Sequence, residues 1–260
     1  MQQLGILAQV RGYRGEKVMS KVALRSRFLQ YRGSYAIYLF LRVLAKVYRA
    51  MFCFANDVFV PTLWGAKFIL PKSRSFAESR YFTIMFGLVE PQWRDYFDKY
   101  IAKAKYFIDV GAASDAYYTI RACKSSLSIK IIAVEPLPTE YKYMIRNIAL
   151  NSCTHNVIPL NIALSSTEGT ITISDQEIPC TTIDALVQKL HLSCVDVIKI
   201  DVEGVGAEVI KGATKTIIKC KQVIFFEVHN KAERLAVREL VKYGYRAIKQ
   251  YGGMSLLIPF

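Results

Sequence analysis

The chain has 260 residues, 52% of them apolar, enough for one large core with an extension or for two modest domains. No tract is low-complexity and no segment repeats, which excludes a disordered chain and a repeat array. The net charge of +14 is uneven: residues 1–106 carry 18 Lys/Arg against 6 Asp/Glu, and residues 107–260 carry 17 against 15. The basic front suits a polyanionic surface, whether membrane, nucleic acid or acidic glycan.

Six scattered cysteines (Cys53, Cys123, Cys153, Cys180, Cys194, Cys220) form no C-x-x-C pair, and His155, His191 and His229 form no metal motif. This pattern predicts buried thiols in a reducing, cytoplasmic setting and no metal site. Residues 1–33, basic from Arg11 to Arg32, lack the apolar run of a cleavable signal. Ser34 to Ala55 reads as a helix, apolar around most of its circumference, with Arg42, Lys46 and Arg49 as one basic stripe. It is too interrupted to span a bilayer, so it either packs on the remaining chain or lies on a membrane surface.

Asn56 to Pro71 changes to strand period around Trp64-Gly65 and predicts a hairpin. Ser75 to Tyr100 returns to helical spacing, with Trp93, Tyr96, Phe97 and Tyr100 on one face. A basic extension over 1–104, mainly helical, thus precedes a domain over 105–260. From residue 106 strands alternate with helices: strands near 106–110, 130–135, 156–160, 195–200, 222–228, 244–249 and 254–259, and helices near 115–124, 138–151, 181–190, 206–218 and 231–243. This predicts an α/β fold with a mostly parallel, seven-stranded, Rossmann-like sheet. Its last two strands, joined at Gly252-Gly253, must form an antiparallel hairpin, as in S-adenosylmethionine-dependent methyltransferases.

The first of these strands ends at Asp109 and breaks at Gly111-Ala-Ala-Ser-Asp-Ala116. A dinucleotide turn needs G-x-G-x-x-G; here Ala113 adds a methyl where a pyrophosphate would press, and Asp115 adds a negative charge. A sulfonium donor has no phosphate and tolerates both, so Asp109, Gly111, Ala112 and Ala113 are candidate contacts for S-adenosylmethionine. The second strand ends in Glu135-Pro136, a carboxylate placed to accept two ribose hydroxyls. Asn161 to Ala163, after the third strand, is a candidate adenine contact, and Glu168-Gly169 reads as the turn of an inserted hairpin. The fourth strand carries Lys199 and ends in Asp201-Val-Glu203-Gly204. A strand's pleat would put Asp201 and Glu203 on one side, unless Glu203 caps the next helix. The fifth ends in Glu227-Val-His229, adding an acid and an imidazole to the same rim.

These segments resemble the FkbM-type methyltransferases. The likeness is carried by Phe107-Ile-Asp-Val-Gly-Ala112, Ala133-Val-Glu-Pro136, Arg146-Asn-Ile-Ala-Leu-Asn151, Ile198-Lys-Ile-Asp-Val-Glu-Gly204, Val209-Ile-Lys-Gly-Ala213 and Phe226-Glu-Val-His229. The family's turn continues with Asn and a further glycine where this chain has Ala113 and, shifted by one, Asp115. After Asp-Val-Glu-Gly the family has Ala-Glu where this chain has Val205-Gly206. The resemblance implies an S-adenosylmethionine-dependent O-methyltransferase acting on a sugar, glycan or related acceptor. Asp109 and Gly111 are then donor contacts, Glu135 the ribose acceptor and Asp201 the active-site acid.

A sugar hydroxyl must lose its proton as it attacks, which gives Asp201 or His229 the base role, with Glu203 and Glu227 orienting the acceptor. Magnesium would suit oxygen ligands around Asp201, but none is expected. Two other readings stand beside this one: an RNA methyltransferase that uses the basic front, and a non-catalytic scaffold docked on a membrane through residues 34–55.

Overall fold

The computed structural model describes residues 40, 43, 44, 47, 53–54, 57–71, 77–126 and 128–260. It divides into two compact units, Met1–Tyr48 and Arg49–Phe260. In the first, Phe40, Val43, Leu44 and Val47 are helical and exposed. The rest of that expected helix, and residues 1–33, lie outside the described residues, with one correction. Cys53–Phe54 is a short strand, β1, because it pairs antiparallel with β2 (Asp57–Pro61). Among the described residues no helix is long and apolar enough to cross a membrane.

The second unit begins with the β1-β2-β3 sheet, where β3 is Lys67–Pro71, followed by helices α1 (Ala77–Met85) and α2 (Pro91–Ile101). Residue 105 lies inside this unit, where the chain passes from that covering layer into the main sheet. The main elements are β4 (Tyr106–Val110), α3 (Tyr117–Ser125), β5 (Lys130–Val134), α4 (Pro138–Leu150), β6 (Val157–Leu160) and β7 (Ala163–Leu164). After them come β8 (Gly169–Ile173), β9 (Gln176–Thr181), α5 (Ile183–Lys189), β10 (Val197–Ile200), α6 (Gly206–Lys211) and α7 (Thr214–Cys220). The chain closes with β11 (Val223–Glu227), α8 (Lys231–Lys242), β12 (Tyr245–Tyr251) and β13 (Met254–Pro259).

The seven-stranded sheet runs β12-β13-β11-β10-β4-β5-β6, and β13 is antiparallel to both its neighbours. Strand residues alternate between two cores, as a pleat buried on both sides requires. Phe107, Ile131 and Phe225 face one layer, and Ile108, Ile132, Ile224 and Phe226 face the other. The first layer includes the extension. Trp93 and Phe97 are buried on α2, and Phe97 meets Phe107, Tyr118 and Phe225 edge-on at 4.8–5.7 Å. The other two aromatics of that face, Tyr96 and Tyr100, are only partly buried.

A polar clamp adds to this packing. Asn147 on α4 and Asn151, which caps its C-terminal end, sit one turn apart and act toward β3 as a neighbouring strand would. Ile69 and Lys67 each donate their N–H to an asparagine Oδ1 and accept from its Nδ2, at 2.6–3.0 Å. Both amides are buried, so each missing bond would cost about 1–3 kcal/mol.

Three expectations change. The inserted hairpin turns at Ser174-Asp175, both left-handed (φ 48° and 61°), while Gly169 opens its first strand. The helix expected over 206–218 breaks at Gly212-Ala213 because Asp184 accepts the N–H groups of Lys215 and Thr216 and starts a new helix there. The cysteines are not all free thiols: Cys123–Cys153 and Cys194–Cys220 are disulfides, and buried Cys180 is unpaired. Sequence spacing carries no pairing information, and the cysteine argument for a reducing compartment falls with these bonds.

Candidate active site

The chain leaves β4 toward β5 and β6, then returns to β10 on β4's other side. The β4/β10 boundary is therefore the switch point of the sheet, and a crevice opens beyond its carboxyl ends. A small pocket lies there, lined by the predicted Asp109, Gly111, Ala112, Ala113 and Asp201. Arg80, Glu90, Tyr118 and Lys199 line it too.

Gly111 has φ +81°, and a Cβ there would sit 2.1 Å from the Asp201 carbonyl oxygen. The close approach this glycine permits is thus to β10's exit, which holds the two candidate loops together. Ala113 and Ala116 are also left-handed (φ 56° and 48°), at about 1 kcal/mol each. Neighbouring bonds offset that strain: Ala113 N donates to Glu135 Oε2 at 3.0 Å, and Asn147 Nδ2 donates to the Ser114 carbonyl at 2.8 Å. Glu135 Oε1 accepts from Leu137 N, so the carboxylate is oriented against the turn.

Glu135, Pro136, Asn161, Ala163, Glu203 and His229 are not among the described residues that line this pocket. Asn161 Nδ2 donates to the Glu135 and Pro136 carbonyls at 2.9 and 2.8 Å, fixing the end of β5, and Ala163 is buried in β7.

Asp109 is 1% exposed. Its Oδ2 accepts from the Thr119 hydroxyl at 2.7 Å, whereas Oδ1 has no partner among the described residues. A buried unpaired carboxylate oxygen is costly, and this one belongs to a residue that lines the pocket. Burial pushes the Asp109 pKa up against the pull of Lys199.

Lys199, 2% exposed, places its ammonium 2.9 Å from Asp201 Oδ2 and 4.8 Å from the centre of the Tyr118 ring. The Tyr118 hydroxyl donates in turn to Glu90. Burial would discharge Lys199, but Asp201, Asp109 and Glu90 raise its pKa and keep it protonated. Burial would also raise the Asp201 pKa; Lys199, His229 and Glu227 outweigh that and hold it well below the usual carboxylate range. Burial and the Asp201 charge push Glu227 up to about 8. His229 Nε2 lies 3.7 Å from Asp201 Oδ1, and that carboxylate raises its pKa despite partial burial. One ligand atom from each of Asp201, Glu227 and His229 falls within a 4.8 Å span. Lys199 already pairs with one oxygen of Asp201.

Glu203 departs from both sequence readings. Strand β10 ends at Ile200, so no pleat aligns Glu203 with Asp201, and Glu203 is exposed. The same-side pair is Lys199 and Asp201. The Gly206 N–H that opens α6 is accepted by Glu233 Oε1 at 3.0 Å. Glu233 is fully buried, and its Oε2 accepts from His229 N and Asn230 N at 2.6 and 3.1 Å. Glu233 therefore braces the loop carrying Asp201 against the loop carrying His229. A Cβ on Gly206 would meet the Phe226 ring at 2.5 Å, so the packing here favours glycine. Asn230-x-x-Glu233 was a readable capping box, completed here by the Glu233 N–H donating to Asn230 Oδ1.

A parallel sheet with its seventh strand antiparallel, and a small-residue turn at the switch point, defines the Rossmann-like methyltransferase fold. The family model described as the methyltransferase FkbM domain matches residues 109–247, more than half of the chain, and the chain belongs to that family. Three solved structures illustrate the likeness. An FkbM methyltransferase from Methylobacillus flagellatus KT is 15% identical with a TM-score of 0.46; the match covers 72% of this chain and 56% of that one. The METTL16 methyltransferase domain is 13% identical with a TM-score of 0.50, covering 78% and 86%. M. jannaschii TYW2, solved in complex with AdoMet, is 20% identical with a TM-score of 0.43, covering 78% and 84%. No curated protein sequence matches the chain.

Proposed function

We propose that this protein transfers the methyl group of S-adenosylmethionine to a hydroxyl of a sugar, glycan or related small molecule. The observation that carries this reading is Asp201, ionised against buried Lys199, facing the same pocket as Gly111 and the unpartnered Asp109 oxygen. Asp109 would take the donor's ammonium, the Gly111–Ala113 turn its methionine end and Glu135 its ribose. The bound donor supplies an electrophilic methyl group.

The protein's own residues then handle the acceptor proton. Asp201, too weak a base to keep it, receives the hydroxyl's hydrogen bond and holds the oxygen in line. His229, in its neutral form, takes the proton on. Glu227, protonated to about 8, donates to Asp201 and holds it in place. The sugar-type acceptor follows from the family likeness. A phosphodiester is disfavoured by the pocket wall, where Glu90, Asp109, Asp115 and Asp201 outnumber Arg80 and Lys199.

The test combines calorimetry with a methyl-transfer assay on sugar acceptors. Asp201→Asn should bind donor within about threefold of the unmodified protein and lose about 10²-fold or more in kcat. Wild-type kcat should rise with pH as His229 deprotonates, with an apparent pKa above the ordinary histidine value. An Asp201→Asn variant that transfers at the wild-type rate would overturn the assignment.

A further inference from the structure

We propose that Arg80, on α1 and outside the family-matched segment 109–247, binds the α-carboxylate of the methyl donor. The inference rests on the donor reading above and adds a residue that the family segment does not contain.

The amino-acid end of the donor carries two opposite charges a few ångströms apart. The unpartnered, buried Asp109 Oδ1 meets the ammonium. The carboxylate then lies among Glu90, Asp109, Asp115 and Asp201 and needs a cation from the same wall. Only Lys199 and Arg80 among the described residues lining the pocket can supply one. Lys199 is committed: it is buried, bonded to Asp201, and set over the Tyr118 ring.

Arg80 is differently placed. Its side chain is 43% exposed, at the pocket mouth, and its Nε donates to Asp115 Oδ2 at 2.6 Å. Asp115 thereby fixes one edge of the guanidinium. The two Nη groups have no other partner among the described residues, and a guanidinium presents its N–H groups as a fork that fits a carboxylate. The position is secured from behind. Tyr81 is buried and donates its hydroxyl to the Pro71 carbonyl at 2.8 Å, and Ile84 is fully buried. The extension thus completes the donor site through one charged side chain.

The probe is decarboxylated S-adenosylmethionine, which keeps sulfonium, amine and adenosine and lacks only the carboxylate. By calorimetry on the full chain, the unmodified protein should bind S-adenosylmethionine about 10–100-fold more tightly than this probe. Arg80→Gln should shrink that preference to about threefold or less while holding the probe with wild-type affinity. Arg80→Lys, which still offers Asp115 a cation, should restore part of the preference. Equal weakening of both compounds, or an undiminished preference in Arg80→Gln, overturns the assignment. A wild-type protein that binds neither compound refutes the donor reading itself, a result distinct from both.

Discussion

On the β4–β5 side of the pocket the chain works with backbone and small residues: a glycine pressed on a carbonyl, two left-handed alanines, and a carboxylate that accepts main-chain N–H groups. On the β10–β11 side it works with Lys199, Asp201, Glu227 and His229, held by the buried Glu233 brace. The first side is a matter of shape and the second a matter of charge. Substitutions on the first should act through stability and donor affinity, and on the second through turnover and pH.

The sharpest break is Gly111→Ala. The added methyl would lie 2.1 Å from a main-chain oxygen that cannot move without β10, at about 3 kcal/mol or more. Urea midpoints should fall accordingly and donor binding should vanish in calorimetry. In the same turn, Ala113→Gly releases a left-handed alanine, so its stability should be unchanged or slightly higher. If the two substitutions had equal effects, the turn would not be a shape device.

The charged side should show itself in pH. The folded-state pKa of Glu227 is raised to about 8 from 4.5, so between those values the folded protein holds a proton that the unfolded chain has lost. Its contribution to stability is complete below 4.5 and is lost as pH rises through about 8. Glu227→Gln stays neutral throughout and can still donate to Asp201. Its melting midpoint should match wild type near pH 5 and exceed it near pH 9. Parallel curves across that range would show that the Asp201–Glu227 pair does not share a proton as described.

These differences also explain what could be read from the residues alone. The central strands β4, β5, β10 and β11 were legible because each is a short apolar run between turn signals, and a sheet buried on both faces writes itself that way. The lining residues Asp109, Gly111 and Asp201 were legible because strand ends in such a sheet are where a ligand crevice must lie. Arg80 and Glu90 were not, since they reach the pocket from a layer with no motif of its own. Glu168-Gly169 looked like a turn, but Ser174-Asp175 takes the left-handed pair that a two-residue hairpin needs. Glu203 misled for a related reason: the pleat rule holds only while the strand lasts, and β10 stops at Ile200.

Glu203 therefore supplies the smallest expected effect. Two residues from Asp201 in sequence, it is exposed, starts no helix and lies outside the pocket lining. Water screens such a charge, and a surface substitution of this kind usually stays within about 0.5 kcal/mol. Glu203→Gln should change stability by no more than that, and kcat and KM by about threefold or less. A loss in kcat near that of Asp201→Asn would mean that the 201–205 loop closes on the acceptor and brings Glu203 to the reacting oxygen. In that case the charged side of the pocket would be assembled by the acceptor, and the Glu233 brace would be a hinge instead of a fixed strut.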